Sequence, residues 1–597
     1  MMRSASTKAA FNCVLLLTAM LLKSPASVPA QQLAEAPHSG YDANDFIATD
    51  TCDSVSVGSP YIPVDSWIYP AVLRLYSMGY LDSVYLGMRP WTRSDVTQML
   101  REAVPIIDDA SLYSEPTVGE AQDIYDALRH EFRSDTEENC VSHQASAHFE
   151  TVYSTARVIS GTPLRDSFHL GSTIVNDYGR PYQKGFNNYT GLSGYASSGR
   201  FSLYVRSEFQ AKPSASGYSP ALAERLSISD AISFRDPSGA IVHQATIPMG
   251  PISSSVNGSL IEAYASARYL NTVFSFGKQD VWWSPAQGGA MAYSNNADNI
   301  YSFRINRIRP FYISGLSRIT GPFRYDFLIG PLKGHTFPNA PWLHVEKISF
   351  RPTRDLEFGF ERTVIWGGEG HVPVTMGTFA RSFFSFSAPE SDVKHSRNDP
   401  GARFGAFDFS YRPPFIGNWI TIYCDSEVHD DVSPIDAPRR AAWRPGIYLS
   451  HFPYVPKLDM RLEAASTDPP VSSSHDGMYM YYETVQRQGY TNSGQIFGDW
   501  IGREAKGGQA WITYHLSGNE WLQVSARNQK VAKDFISGGT TLNDLSFQAV
   551  KRMGRSLELN GNFSFERYRI PIYEPGQHTV TSSSVQLTWR PNRSVSF

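Results

Sequence analysis

The sequence predicts a mainly β protein, in which a large antiparallel barrel follows a small N-terminal bundle of helices. Three observations predict this fold. Apolar and polar residues alternate from about residue 145 onward, aromatic residues make up 13% of the chain, and helical periodicity is confined to residues 60–135. Alternation of this kind gives a strand one apolar and one polar face. At roughly 25 residues per strand and connection, residues 145–597 would form about sixteen to twenty strands.

The first thirty residues are typical of a secretory signal peptide. Arg3 and Lys8 precede a mostly apolar stretch at residues 9–22, and Val28-Pro29-Ala30 offers a site for signal peptidase. The apolar stretch is too short to span a membrane as a helix. We therefore expect residues 1–30 to be removed on export.

Charge and cysteine content narrow the class of protein further. The chain has 53 Lys and Arg against 57 Asp and Glu, for a net charge of −4, which gives no support to nucleic-acid binding. Beyond the signal peptide, Cys52 and Cys140 could form a disulfide in an oxidising compartment, with Cys424 packed in the fold. No CxxC or Cys/His spacing suggests zinc, and no metal or cofactor is expected.

Residues 60–135 contain three short amphipathic segments that predict helices. Asp65 is the expected cap of the first. Thr92 with Asp95, and Thr117 with Glu120, resemble capping boxes of the second and third. A bundle of this size would be marginal alone, so we expect it to dock on a larger unit. The expected organisation is a signal peptide at 1–30, a linker at 31–58, a helical bundle at 59–140 and a β-barrel region at 145–597.

The strands alternate strictly enough to assign their faces. Residues 458–463 place Leu, Met and Leu on one face and Asp, Arg and Glu on the other, and residues 407–412 and 556–566 behave alike. A soluble sandwich would bury the apolar face, whereas an outer-membrane barrel would turn it toward lipid. The alternation alone leaves both folds open. The signal peptide, the aromatic content, strands near ten residues and the terminal Phe597 favour the barrel.

Two segments of the barrel region are distinctive. Turns are expected at residues 351–354 and 590–593, where proline interrupts a run. Because few residues follow the second turn, either residues 582–590 are the last strand with a short tail, or the closing strand is unusual. Residues 211–255, rich in Ser, Pro and Ala, are the expected large extracellular loop.

Several motifs resemble one known family. Gly277–Pro285 (GKQDVWWSP) followed by Ser294–Ala297 (SNNA) is similar to a signature of the capsule assembly Wzi family. This resemblance implies an outer-membrane barrel of about eighteen strands with a periplasm-side helical bundle. It also implies binding of capsular or exopolysaccharide at the cell surface, without identifying the sugar. Further matching stretches are 61–67, 362–363, 367–370, 403–413, 445–448, 489–492 and 502–504.

The motif at 277–285 supplies the first candidate glycan-binding residues. Indole rings of Trp282 and Trp283 could stack on the apolar faces of sugars, and Asp280 could accept hydrogen bonds from hydroxyls. The alternative is that one Trp belongs to an interfacial aromatic girdle. Since neighbours on a strand point to opposite faces, one indole would face the lumen and the other lipid.

Four further charged residues are candidates for the same site. Arg362, Glu369, Arg503 and Glu504 could make charge-assisted hydrogen bonds to an acidic polysaccharide. The alternative is that they form ion pairs that brace the lumen of the barrel.

The resulting functional hypothesis is a lectin-like protein of the Gram-negative type of cell outer membrane. Its expected partners are capsular or extracellular polysaccharide, outer-membrane lipid and the polysaccharide export machinery. A porin or solute channel is the first alternative. A polysaccharide-acting enzyme is the second, for which Asp430 with Asp431, or Glu361 with Glu369, could be nominated. No GxSxG or HExxH motif occurs, and the favoured hypothesis is not an enzyme.

Overall fold

The computed structural model describes residues 58–113, 115–133, 135, 145–386, 390–470, 480–591 and 593–596. The signal peptide, Cys52, Cys140 and Phe597 lie outside the described residues. Within them, eighteen long strands form one closed antiparallel barrel. The predicted fold class is therefore confirmed.

Each barrel strand pairs with its neighbours in chain order, as expected for an up-and-down meander. The first nine strands are β1 Ser146–Ser160, β2 Gly185–Ser198, β3 Phe201–Lys212, β4 Ser255–Tyr269, β5 Thr272–Lys278, β6 Tyr301–Arg307, β7 Phe323–Pro331, β8 Trp342–Thr353 and β9 Leu356–Trp366. The other nine are β10 Ala402–Tyr411, β11 Ile420–His429, β12 Ala442–Leu449, β13 Leu458–Ser466, β14 Ala505–Ser517, β15 Glu520–Val531, β16 Thr540–Met553, β17 Leu557–Ile570 and β18 Glu574–Trp589.

Strand β1 closes the barrel. It pairs with β2 on one side and with β18 on the other, where Val152 lies opposite Trp589 and Ser160 opposite Thr581. A short strand, β19 (Arg593–Ser596), continues along the first residues of β1. The last long strand thus begins well before residue 582, and the residues after the turn add a short second segment to the closure.

The polarity of the strands is the reverse of that in a soluble sandwich. In β13, Asp459, Arg461 and Glu463 point into the lumen and are buried, whereas Leu462 points outward and is 41% exposed. Large apolar side chains are exposed in the same way on other strands, among them Phe209, Phe276, Val524, Leu545, Phe563 and Val585. Exposed apolar and buried polar faces are what a lipid-facing barrel requires.

The two ends of the barrel differ in their connections. At one end, strands are joined by short turns such as 199–200, 270–271, 354–355 and 518–519. At the other, which we call the long-connection end, the connections are 161–184, 213–254, 279–300, 332–341, 367–401, 430–441, 467–504, 532–539 and 571–573. The segment expected as a large loop, 211–255, corresponds to the second of these connections.

Within the described parts of the connections there are four helices. They are α4 Pro220–Ser229, α5 Ser317–Thr320, α6 Met376–Phe383 and α7 Ser391–Lys394. None of the helices in the described ranges is both long and apolar enough to cross a membrane.

In the described residues before the barrel, three helices occur: α1 Ile68–Ser77, α2 Arg93–Leu112 and α3 Val118–Glu131. The predicted capping box of α2 is confirmed, because the Thr92 side chain accepts from the Asp95 backbone N–H and the Asp95 side chain accepts from that of Thr92.

The other two expected caps are wrong, because the side chains of Asp65 and Thr117 interact with residues outside the helices that they were expected to cap. The residue before α1 is Trp67, and Asp65 instead forms an ion pair with Arg206 at 2.8 Å. Thr117 precedes α3 without capping it. Its hydroxyl lies 3.0 Å from that of Tyr80.

The helices dock on the short-connection end of the barrel. Arg74 of α1 donates to the carbonyl of Pro456 at 2.6 Å, and Arg412 donates to that of Tyr76 at 2.7 Å. The chain after α1 reaches into the lumen, where the Leu86 backbone N–H donates to Glu357 at 2.7 Å. This contact with the barrel supplies the burial that the small bundle lacks by itself.

The long-connection half of the lumen is filled as well. Connection 279–300 and residues 480–504 fold into it, and their apolar side chains form one buried cluster with residues of the wall. The buried residues that these two connections contribute include Trp283, Met291, Tyr293, Tyr481, Tyr490, Phe497 and Trp500.

Candidate functional site

Asp280 lies immediately after β5, where the chain leaves the wall and enters the lumen. Its carboxylate accepts hydrogen bonds from the Val64 backbone N–H and the Tyr178 hydroxyl, both at 2.8 Å, and from the Asn299 amide at 2.5 Å. These partners come from the N-terminal segment and from two connections. Asp280 therefore links the N-terminal segment, which enters the lumen from one end, to connections that enter it from the other end.

The two neighbouring tryptophans both lie inside the barrel, so the expectation that one faces lipid is wrong. Strand β5 ends at Lys278, and residues beyond it no longer alternate between wall faces. Trp282 pairs with the backbone of Arg89 and donates its ring N–H to Ala286 at 3.1 Å. Trp283 is 0% exposed. Both indoles are part of the packed interior.

Arg362 faces outward from β9 and holds helix α6 against the outside of the wall. Its guanidinium donates to the carbonyls of Ser382 and Phe383 at 2.6 Å and of Ser385 at 2.8 Å. Carbonyls at a helix C-terminus lack intrahelical partners and favour a cation. Arg362 therefore stabilises the end of α6.

Glu369 is the exposed member of the predicted set. It lies in connection 367–401, and its backbone N–H donates to the carbonyl of Asn339 at 2.7 Å. The Asn339 amide donates to its carboxylate at 2.6 Å. The pair links two connections at the long-connection end and leaves the carboxylate open to solvent.

Arg503 is buried in an ion pair with Asp230 at 2.7 Å, between the rings of Phe168, Tyr482 and Phe535. This matches the bracing alternative for this residue. Glu504 beside it is also buried.

His169 extends this ion pair into a network across three connections. Its ring nitrogens lie 2.9 Å from Asp166 and 3.0 Å from Asp230. Burial disfavours the charged imidazole, but the two carboxylates outweigh burial and raise the pKa of His169 to about 9. The network joins connections 161–184, 213–254 and 467–504.

A second ion-pair network lies nearer the surface. Lys394 forms ion pairs with Asp430 at 3.0 Å and with Glu483 at 3.3 Å. These contacts join connections 367–401, 430–441 and 467–504. The long-connection end is thus a tied surface rather than a set of separate loops.

Besides Arg440, which pairs with Asp431, three exposed arginines on this tied surface were not predicted. Arg381 and Arg397 lie in connection 367–401, where Arg381 donates to the Arg397 carbonyl at 3.2 Å, and Arg439 lies in connection 430–441. We call these three residues the arginine face. In the sequence they appear only as basic residues within long polar segments. That pattern does not identify a binding surface unless the fold is known.

The carboxylates nominated for catalysis are not brought together in pairs open to substrate. Asp430 pairs with Lys394, and Asp431 pairs with Arg440 at 2.9 Å. Glu361 points into the lumen, 3.5 Å from Lys347, while Glu369 is exposed beyond the end of β9. Across the described ranges, no group of three His, Cys, Asp or Glu side chains could hold a metal ion.

Comparison with known proteins places the fold. The structure is similar to that of Wzi from Escherichia coli, an outer-membrane protein involved in group 1 capsule assembly and described as a carbohydrate-binding β-barrel. The TM-score is 0.58 at 15% identity, over 88% of this chain and 99% of the other. At this identity the likeness shows the fold.

The sequence is also similar to one protein from a capsule region and to one family model. A protein in the cps region of Klebsiella pneumoniae, described as an uncharacterized 55.8 kDa protein, is 26% identical over 182 residues, 30% of this chain and 35% of that relative. The match thus spans about a third of the relative. The family model for capsule assembly protein Wzi matches residues 154–582, from β1 into β18. The chain belongs to the capsule assembly protein Wzi family.

Proposed function

We propose that the protein is an outer-membrane barrel that binds capsular or extracellular polysaccharide at its long-connection end, for assembly or attachment at the cell surface. The observation that carries the proposal is the arginine face, whose three side chains are exposed on two connections that Lys394 ties together at the long-connection end. A surface of this kind suits binding of an extended polymer from outside the barrel.

The chemistry of the arginine face favours an acidic polysaccharide. A guanidinium binds a carboxylate through two parallel hydrogen bonds, and it remains charged at any physiological pH. Each exposed contact would contribute little, but repeats along a polymer engage several sites at once and raise the overall affinity. Glu369 could accept hydrogen bonds from sugar hydroxyls beside these cations.

The other predicted site residues would act indirectly. Asp280, Trp282, Trp283, Arg503 and Glu504 are buried, so their proposed role is to hold the connections that present the surface. Arg362 would do the same for α6.

Family membership and the reversed polarity of the strands support an outer-membrane location. In the proposed orientation the long connections face the outside of the cell. The helical bundle, proposed over 59–140, would then lie on the periplasmic side, where it could meet the polysaccharide export machinery. Residues 1–30 would be the signal peptide that directs export.

Glycan-array binding by detergent-purified protein tests this proposal. The triple variant Arg381→Ala, Arg397→Ala, Arg439→Ala should lose about tenfold or more in affinity for acidic polysaccharides, because the charge-assisted contacts are removed. A tenfold loss corresponds to about 1.4 kcal/mol of binding free energy. The matched control is Arg225→Ala, an exposed arginine of connection 213–254, which should bind as the wild type does. Equal binding by the triple variant would reject the arginine face, and no glycan binding by any form would reject the function.

A further inference from the structure

The outward face of strands β12–β16 carries a groove of about 760 Å³. Its floor is formed by small residues: Ala464 of β13, Gly508 and Ala510 of β14, and Ala526 of β15. The strand register aligns them, with Ala464 opposite Gly508 and Ala510 opposite Ala526. Toward the short-connection end, large outward residues such as Leu462, Ile512 and Val524 follow on the same strands, so the groove is a local gap in the apolar surface.

The groove has a polar rim toward the long-connection end. The amide of Asn528 on β15 donates to that of Asn543 on β16 at 2.9 Å, and both residues line the groove. Lys506 and Lys530 lie two residues beyond Gly508 and Asn528, which is about 7 Å along each strand.

Two more cations lie close to this level on β17. Arg567 and Arg569 of β17 are exposed on the outward face, with Arg567 opposite Asn543 and Arg569 opposite Thr541. Thr541 in turn lies opposite Lys530. Four outward cations, on β14, β15 and β17, therefore form one band above the groove.

Three of the four cations in this band are not neutralised by the protein itself. Lys506 and Lys530 lie directly opposite each other, an arrangement in which like charges destabilise a sheet. Lys506 forms an ion pair with Asp468 at 2.8 Å. In the part of the chain that the structure describes, Lys530, Arg567 and Arg569 form no ion pair, and the outward faces of β14–β17 carry no acid at this level.

We propose that this groove and the cation band above it bind a phosphorylated glycolipid of the outer leaflet. An acyl chain would lie over Gly508, Ala510 and Ala526, where outward side chains are missing. The phosphates would lie against Lys530, Arg567 and Arg569, since arginine and lysine both bind phosphate strongly. The inference rests on the proposed function only for the outer-membrane location.

Charge decides between this occupant and a second copy of the chain. A second copy docking through the same face would bring its own four cations against these, and like charges across an interface oppose association. A lipid with anionic phosphates is complementary in both parts, with an apolar chain for the groove and negative charge for the band. The volume lies within the 300–1,000 Å³ range of ligand sites in proteins.

The test uses the full chain in detergent, titrated with bisphosphorylated lipid A and with its dephosphorylated form, with bound lipid counted by native mass spectrometry. The wild type should bind the bisphosphorylated lipid at least about tenfold better, the effect of roughly one charge-assisted contact. The triple variant Lys530→Ala, Arg567→Ala, Arg569→Ala should lose this preference. Lys551→Ala, an outward cation of β16 at the short-connection end, is the matched control and should keep it.

A second variant, Ala510→Phe, fills the groove and should weaken binding of both lipids. Inorganic phosphate at millimolar concentration should not displace the lipid, because it cannot use the groove. Equal lipid binding by the wild type and the triple variant would overturn the proposal. So would a lipid-free dimer that Ala510→Phe abolishes, because a second copy would then occupy the groove. Polysaccharide binding measured on the same triple variant should be unchanged, so failure of the lipid site is distinguishable from failure of the proposed function.

Discussion

At the scale of single residues, His169 makes the packing of the long-connection end dependent on pH. The charged imidazole lies between Asp166 and Asp230, and its pKa is about 9 in the folded protein against 6.5 when unperturbed. A raised pKa stabilises the folded state fully below pH 6.5, and this contribution is lost as the pH rises through about 9. The shift corresponds to on the order of 3 kcal/mol.

We therefore expect the thermal unfolding midpoint of the wild type to fall between pH 7 and about 10. In His169→Gln the fall should be smaller, because the titrating group is gone. The measurement is heat-modifiable gel migration across this pH range, with His243→Gln, an exposed histidine of the same end, as control. A His169→Gln profile parallel to that of the wild type would contradict the assignment.

Local contacts of single residues could be predicted from the sequence, whereas contacts with distant parts of the chain could not. The capping box at Thr92 could be predicted because both partners lie within four positions of each other. The role of Asp65 could not be predicted, since its carboxylate forms an ion pair with Arg206, which lies on a strand far along the chain. Trp282 and Trp283 stand out in the sequence as an adjacent pair, but their burial depends on connections from other parts of the barrel.

At the scale of elements, the strands present apolar side chains outward, and exposure alone does not reveal whether lipid covers them. Val524 lies near the middle of β15 and is 48% exposed, whereas Leu112 at the end of α2 is 81% exposed. If the barrel spans a membrane, Val524→Arg should cost about 2–4 kcal/mol, while Leu112→Arg should be within about 0.5 kcal/mol of the wild type.

Urea unfolding in lipid vesicles compares the two variants directly. Similar small effects would mean that β15 faces water, and the membrane location would then fail. The period-two pattern of residues 458–463 was sufficient to predict which side chains share a face, but not which face is buried. That choice depends on closure of the sheet, because only a closed barrel turns one face entirely inward.

At the scale of the whole molecule, the lumen is occupied from both ends. The helical bundle and the segment after α1 enter the short-connection half, where a cavity of about 410 Å³ remains beside the wall of β14–β18. Connection 279–300 and residues 480–504 pack into the other half. We expect planar bilayers containing the protein to show no steady conductance. A reproducible open-channel current would contradict this packing and would favour the channel alternative.

The number and order of strands could be approximated from the sequence because each strand is a local pattern. The filling of the lumen could not, because it depends on contacts between segments hundreds of residues apart, such as Leu86 with Glu357. The arginine face depends on the same kind of contact, since Lys394 joins the connection that carries Arg397 to the connection that carries Arg439.

The central claim is that polysaccharide binds the long-connection surface of a closed barrel. Hydrogen–deuterium exchange of the protein in nanodiscs, with and without an acidic polysaccharide that it binds, tests this claim most directly. We predict slower exchange confined to connections 332–341, 367–401 and 430–441, with the helices α1–α3 and the short turns unchanged. Protection centred on α1–α3 or on the short turns, or binding with no protection of these three connections, would contradict the account.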